Sequence, residues 1–119
     1  MRRPPTLNEV RAALWTWRAV RTARKQLRRT GYEQMRLPRV PDLPSSSVRG
    51  VNAVLRRWPP TCLERAVVLQ RWRAEHGDPH EVIVGVSGTR DRFRAHAWLD
   101  DEPPAAELGS FQELVRLQP

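Results

Sequence analysis

Cys62 is the only cysteine of the chain, and it stands in Pro59-Pro60-Thr61-Cys62-Leu63-Glu64. His96 follows in Ala95-His96-Ala97-Trp98-Leu99-Asp100. A thiol at the start of a helix and an imidazole on a later strand can together form a nucleophile and its general base. Thr61-x-x-Glu64 reads as a capping box, with Thr61 as N-cap and Glu64 as the third helical residue. The two prolines before it bar helix further upstream, so the helix starts at Cys62. A cysteine in the first turn faces free backbone amides and the positive end of the helix dipole, and both favour the thiolate. The same amides are suited to hold an oxyanion on an attacked carbonyl. Glu64 works in the opposite direction, because a nearby carboxylate disfavours a second negative charge. The plainer alternative is a small buried cysteine with no chemistry.

Around His96, the run Arg92 to Leu99 alternates like a strand, bounded by Gly88-Thr89-Arg90-Asp91 before it and Pro103-Pro104 after it. Alternation puts His96 on the face of Arg94 and Trp98, opposite Phe93, Ala95, Ala97 and Leu99. Flanking alanines leave room for a helix end or a substrate to approach the ring. A structural histidine beside a core tryptophan is the competing reading, and the cysteine upstream tips the balance to a general base.

Taken in order, Cys62-Leu63-Glu64-Arg65-Ala66, Val82-Ile83-Val84-Gly85-Val86 and Phe93-Arg94-Ala95-His96-Ala97-Trp98-Leu99-Asp100 resemble the lasso-peptide leader peptidases. These are the stand-alone protease half of the split lasso B protein, a family of small transglutaminase-like cysteine peptidases. The chain departs from the family pattern by Leu99 for valine and Asp100 for glutamate. The match covers roughly residues 60–102. The resemblance implies an α+β fold, with helices on a small antiparallel sheet in a transglutaminase- or papain-like core. It also implies Cys62 as nucleophile and His96 as general base and acid. Its third residue, an acid about a dozen positions beyond the histidine, falls nearest to Glu107. Asp100 shares the face of His96, yet it lies four residues along the strand, too far for a direct hydrogen bond. The implied partners are a leader–core precursor peptide, a separate leader-recognition protein and the lasso cyclase. No cofactor is implied.

Composition and charge frame this reading. A chain of 119 residues is expected to form one domain with a modest core, divided into a basic segment and linker at 1–46 and a catalytic core at 47–119. A single cysteine rules out an internal disulfide and suits a cytoplasmic setting. Neither a membrane-spanning run, a signal-type segment nor a nucleotide-binding glycine loop occurs in the sequence. Cys62, His76, His80 and His96 invite a metal reading, but no C-x-x-C pair is present and His76 and His80 flank a helix-ending Gly77, so no metal site is expected.

Residues 1–60 carry 14 basic and 3 acidic side chains, whereas residues 61–119 carry 7 and 10. Arg18, Arg21, Arg24, Lys25, Arg28 and Arg29 lie on an amphipathic helix expected near residues 6–30, beside an apolar stripe of Leu7, Val10, Leu14, Trp17, Val20 and Leu27. Of the two nearby tryptophans, Trp15 and Trp17, it is Trp17, on the stripe, that is expected in the core. The basic stripe is read first as a docking face for a partner protein, ahead of a solvated surface and of nucleic acid. A small basic nucleic-acid- or protein-binding module with a structural Cys62 is the alternative function. Acyl transfer by the same thiol is a third.

After a Pro- and Ser-rich linker at 37–47, a second helix is expected through Val48 to Leu55, capped by Ser46 or Ser47. The Cys62 helix should end at Gly77-Asp78-Pro79. Strands are expected near 80–87, 93–100 and 111–117, the first two joined by a tight turn containing Gly88.

Overall fold

The capping box Thr6–Glu9 opens the first helix, with the Thr6 hydroxyl accepting the Glu9 amide and the Glu9 carboxylate accepting the Thr6 amide. In this computed structural model, which describes residues 3–31, 35–89, 92–104 and 111–119, the elements are α1 (Leu7–Arg29), α2 (Val48–Arg57), α3 (Cys62–Glu75), β1 (Val82–Thr89), β2 (Arg92–Leu99) and β3 (Gln112–Leu117). The class is α+β, three helices followed by an antiparallel three-stranded sheet. The chain divides into two compact units, Met1–Pro60 and Thr61–Pro119. That division keeps α2 with α1.

In the first unit α1 and α2 pack against each other at close range. A side chain on Gly50 of α2 would collide with the backbone carbonyl of Glu9 and crowd the Ala13 amide. The backbones can approach this closely because α1 turns a ridge of small residues inward, with Ala12, Thr16, Ala19 and Ala23 all fully buried. Trp15 is buried with them and donates its indole N–H to the Pro38 carbonyl at 3.0 Å. The Gln26 amide clamps the linker twice, donating to the Arg36 carbonyl and accepting its N–H. This corrects the expected apolar stripe. Leu7, Val10, Leu14 and Trp17 are exposed, and Trp15 rather than Trp17 enters the core. The close approach of α2 through Gly50, more than the apolar stripe, selected the buried face of this helix.

Nor does a serine cap α2. Ser45–Ser47 form a 3-10 turn leading into the helix, and the Ser47 hydroxyl is buried with no hydrogen-bond partner among the described residues.

The second unit is α3 laid on the sheet. Strand order is β2-β1-β3, with β1 central and antiparallel to both neighbours. Val82, Leu99 and Val68 are completely buried, with Ala66, Leu69, Trp72 and Ala97 almost so. The Gln70 amide donates to the carbonyls of His80 and Leu117, tying α3 to the start of β1 and the end of β3. α3 ends in a Schellman motif. Gly77 takes φ 74°, its amide reaches Ala74 O, and the Asp78 amide reaches Arg73 O. Gly88, expected in the hairpin turn, is instead a strand residue paired with Phe93.

Candidate active site

Cys62 is the first residue of α3 and half-buried. The expected capping box is present. Thr61 Oγ1 accepts the Glu64 amide at 3.2 Å, and Glu64 Oε1 accepts the Thr61 amide at 3.0 Å. The Arg65 amide closes the first helical bond onto Thr61 O. The amides of Cys62 and Leu63 remain as first-turn donors that helix geometry leaves without a carbonyl.

His96 lies on β2, opposite Gly85 of β1. It is half-buried and stacks on Trp98, with ring centres 6.0 Å apart, while Phe111 closes the group at 5.5 Å from His96 and 5.6 Å from Trp98. Gly85 makes this cluster possible. A Cβ there would lie 2.8 Å from the Trp98 ring and 3.0 Å from Gln112 O. The absence of a side chain on β1 lets the indole lie across the strand and the imidazole settle against it.

Two ion-pairing arginines tie α3 to the residues just past the end of β2. Arg73 bonds Asp101 at 2.9 Å and Glu102 at 2.8 Å, and Arg65, near the start of α3, reaches Glu102 at 3.4 Å. By alternation His96 shares a face with Ile83 and Trp98, the face opposite the buried Val82, Ala97 and Leu99. Among the described residues no hydrogen bond joins Cys62 to His96, and no contact among them brings thiol and imidazole together.

Asp100 serves another histidine. Its Oδ1 meets His80 Nδ1 at 2.6 Å, and its Oδ2 accepts the Glu81 amide at 3.0 Å. The second ring nitrogen of His80 meets Asp78 at 2.9 Å. The Glu81 amide, and then His80, hold the Asp100 carboxyl below its ordinary value. In turn Asp100 raises the His80 imidazole above 6.5, more than burial lowers it. His80, Asp100 and Asp101 converge closely enough to resemble metal ligands. With both ring nitrogens engaged by carboxylates, the group is better described as an ion-paired imidazolium latch between the end of α3 and the sheet. His76 takes a different partner, the Trp72 carbonyl at 2.7 Å, so the two neighbouring histidines form no ligand pair on one helix face.

Glu107, the expected third catalytic residue, lies outside the described residues. What sequence reasoning overlooked was the role of Gly85 and Phe111. A glycine inside a run of valines was the available signal for a close approach. Phe111 carried none, because its contact is made across the sheet.

A family model described as the transglutaminase-like superfamily matches residues 7–116. No curated protein and no solved structure matches the chain.

Proposed function

The chain belongs to the transglutaminase-like superfamily, and from that premise we propose that it is a cysteine peptidase that removes the leader from a ribosomally made precursor during lasso-peptide biosynthesis. The observation that carries the proposal is Cys62 at the capped start of α3, in the same compact unit as the β2 strand that bears His96. In this reading the Cys62 thiolate attacks the scissile carbonyl carbon. The oxyanion of the tetrahedral intermediate is held by the first-turn amides. The C–N bond then breaks, the leaving amine takes its proton from His96, and a thioester remains. Water gives a proton to His96 and attacks the thioester, releasing the leader as a free carboxylate and restoring the thiol.

The lasso assignment rests on the three motifs around Cys62, Gly85 and His96. It brings with it a separate leader-recognition protein that delivers the precursor, with the cyclase acting after cleavage. The expected acid, Glu107, completes the triad in this proposal by orienting His96.

The test is mass spectrometry of a synthetic leader–core peptide incubated with the protein, with and without the recognition protein. Wild-type protein should yield the leader with a free carboxyl terminus. Cys62→Ala should lower the rate by at least about a thousandfold while leaving the circular dichroism spectrum unchanged. Cleavage at the wild-type rate by that variant would remove Cys62 from the mechanism. A product in which the leader carries a new amide would favour acyl transfer, the second reading that the superfamily supports.

A further inference from the structure

The surface of the first unit carries a groove of about 840 Å³ between the second half of α1 and the end of α2. Trp17, Arg21, Lys25, Arg28 and Arg29 line it from α1, and Trp58 lines it from just beyond α2. Among the described residues, none that lines it carries a carboxylate. Both indoles are exposed, Trp17 by 45% and Trp58 by 59%, where burial would be the ordinary fate of side chains this large. Each supports a guanidinium. Arg21 lies 4.7 Å from the centre of the Trp17 ring, and Arg57 lies 5.4 Å from that of Trp58.

We propose that this groove binds an acidic linear segment of a partner protein, one that carries apolar side chains between its carboxylates. Charge complementarity selects the sign. Arg21, Lys25, Arg28 and Arg29 form no ion pair among the described residues, so the groove presents several cations at once. The cation–π contacts select the kind of anion. A guanidinium held over an indole has part of its freedom already removed, and its N–H groups can still make a two-point bond to a carboxylate. Single-stranded nucleic acid would need the indole faces for its bases, and one face of each ring is already taken by arginine. The exposed remainder of the rings, with Val20 and Val54 beneath, gives an apolar wall for the side chains between the acids. Tryptophan and arginine together are the residues that concentrate binding energy at protein interfaces. This inference stands on the first unit alone, and neither Cys62 nor His96 enters it.

Fluorescence anisotropy at about 0.15 M salt tests it, a concentration at which weak exposed contacts are screened. The probes are a fluorescein-labelled peptide of alternating glutamate and leucine, its glutamine-for-glutamate twin, and an oligothymidylate of equal charge. The acidic peptide should bind, with the twin and the oligonucleotide each weaker by about tenfold or more. R21E/K25E/R28E should weaken the peptide by about tenfold or more. Trp58→Ala removes only an exposed ring and provides a second variant if the triple change disturbs the fold. It should weaken binding severalfold. Cys62→Ala should bind like wild type, so failure of the peptidase reading and failure of this one are distinguishable. Absence of peptide binding, indifference of the peptide to both groove variants, or equal or tighter binding of the oligonucleotide would each overturn the proposal.

Discussion

At position 85 the useful property is the lack of a side chain, because the Trp98 indole occupies the space a Cβ would need. Gly85→Ala must push the indole or bend the bulged pairing of β1 with β3. Overpacking of this kind costs about 1–3 kcal/mol. Since His96 stacks on the same ring, the displacement should also reach the cleavage proposed for it. Cleavage is expected to fall by about a hundredfold, the usual cost of misplacing a reacting group by an ångström. Chemical denaturation and kcat/KM measured on one preparation check both parts, and a rate unchanged in a destabilised variant would detach Gly85 from the site. Thr61 supports the other residue of the proposed dyad. Thr61→Ala removes the side-chain cap beneath Cys62 and should cost about 1 kcal/mol, whereas Thr61→Ser should retain most of it. Urea unfolding of the pair separates loss of the cap from loss of the methyl group.

At the scale of elements, two junctions invite tests. The α1–α2 crossing depends on Gly50, where any side chain meets the Glu9 carbonyl. Gly50→Ala removes backbone freedom from the unfolded chain and improves helix propensity, two effects that favour folding by about 1 kcal/mol. The collision is with backbone, which has no rotamer to yield, so a net loss of about 1–3 kcal/mol is expected. A melting temperature equal to or above wild type would show that the helices can separate at little cost. The second junction is the His80 latch. Its folded pKa is raised by Asp100, so its contribution is complete below about 6.5 and is lost as pH rises through the higher folded value. His80→Gln should therefore destabilise the protein near pH 5.5 and become nearly harmless above the folded pKa. Denaturation midpoints of both proteins across that range decide the matter, and a pH-independent difference would mean that the imidazole is held by packing alone.

For the whole molecule, the shifted groups set two limits to stability. Glu9 is held at about 2 instead of 4.5, first by the Thr6 amide and then by Arg3. Asp100 and Glu113 are lowered as well, the latter by Arg116. Groups lowered on folding stabilise the protein above their unfolded values, and that contribution disappears as pH falls through the folded ones. Stability should thus decline below about pH 4.5 through the carboxylates and above about 6.5 through His80, with its maximum between them. Urea midpoints from pH 2 to 9 test the shape. Removal of the acid-side decline by Glu9→Gln alone would assign too little to the other carboxylates. The formal charge of +8 is borne by the first unit, since residues 61–119 carry more acids than bases. No helix among the described residues is long and apolar enough to cross a membrane.

How much was legible before any coordinates divides along a physical line. Features that depend on neighbours in the chain could be read from it. The Thr61–Glu64 box, the start of α3 at Cys62, its end at Gly77, the hairpin partners and the α+β class all follow from local backbone chemistry and side-chain alternation. The ends of β1 and β2 lay one or two residues from where alternation placed them, because pairing partners decide where a strand stops. Features that depend on distant residues could not be read. Leu7, Val10, Leu14 and Trp17 form as good an apolar stripe as any, yet the close approach of α2 over Gly50 made the small residues of α1 the buried ones. Asp100 stands too far along the strand to serve His96, and its actual partner, His80, could not be foreseen, since only the β1–β2 register brings its carboxylate beside the end of α3. Gly85 took its meaning from Trp98, on a different strand. The sequence by itself determined which residues could do chemistry and which elements would carry them. Only the tertiary structure decided which faces meet, because that choice depends on how closely two backbones can approach, and residues far apart in the chain set the distance together.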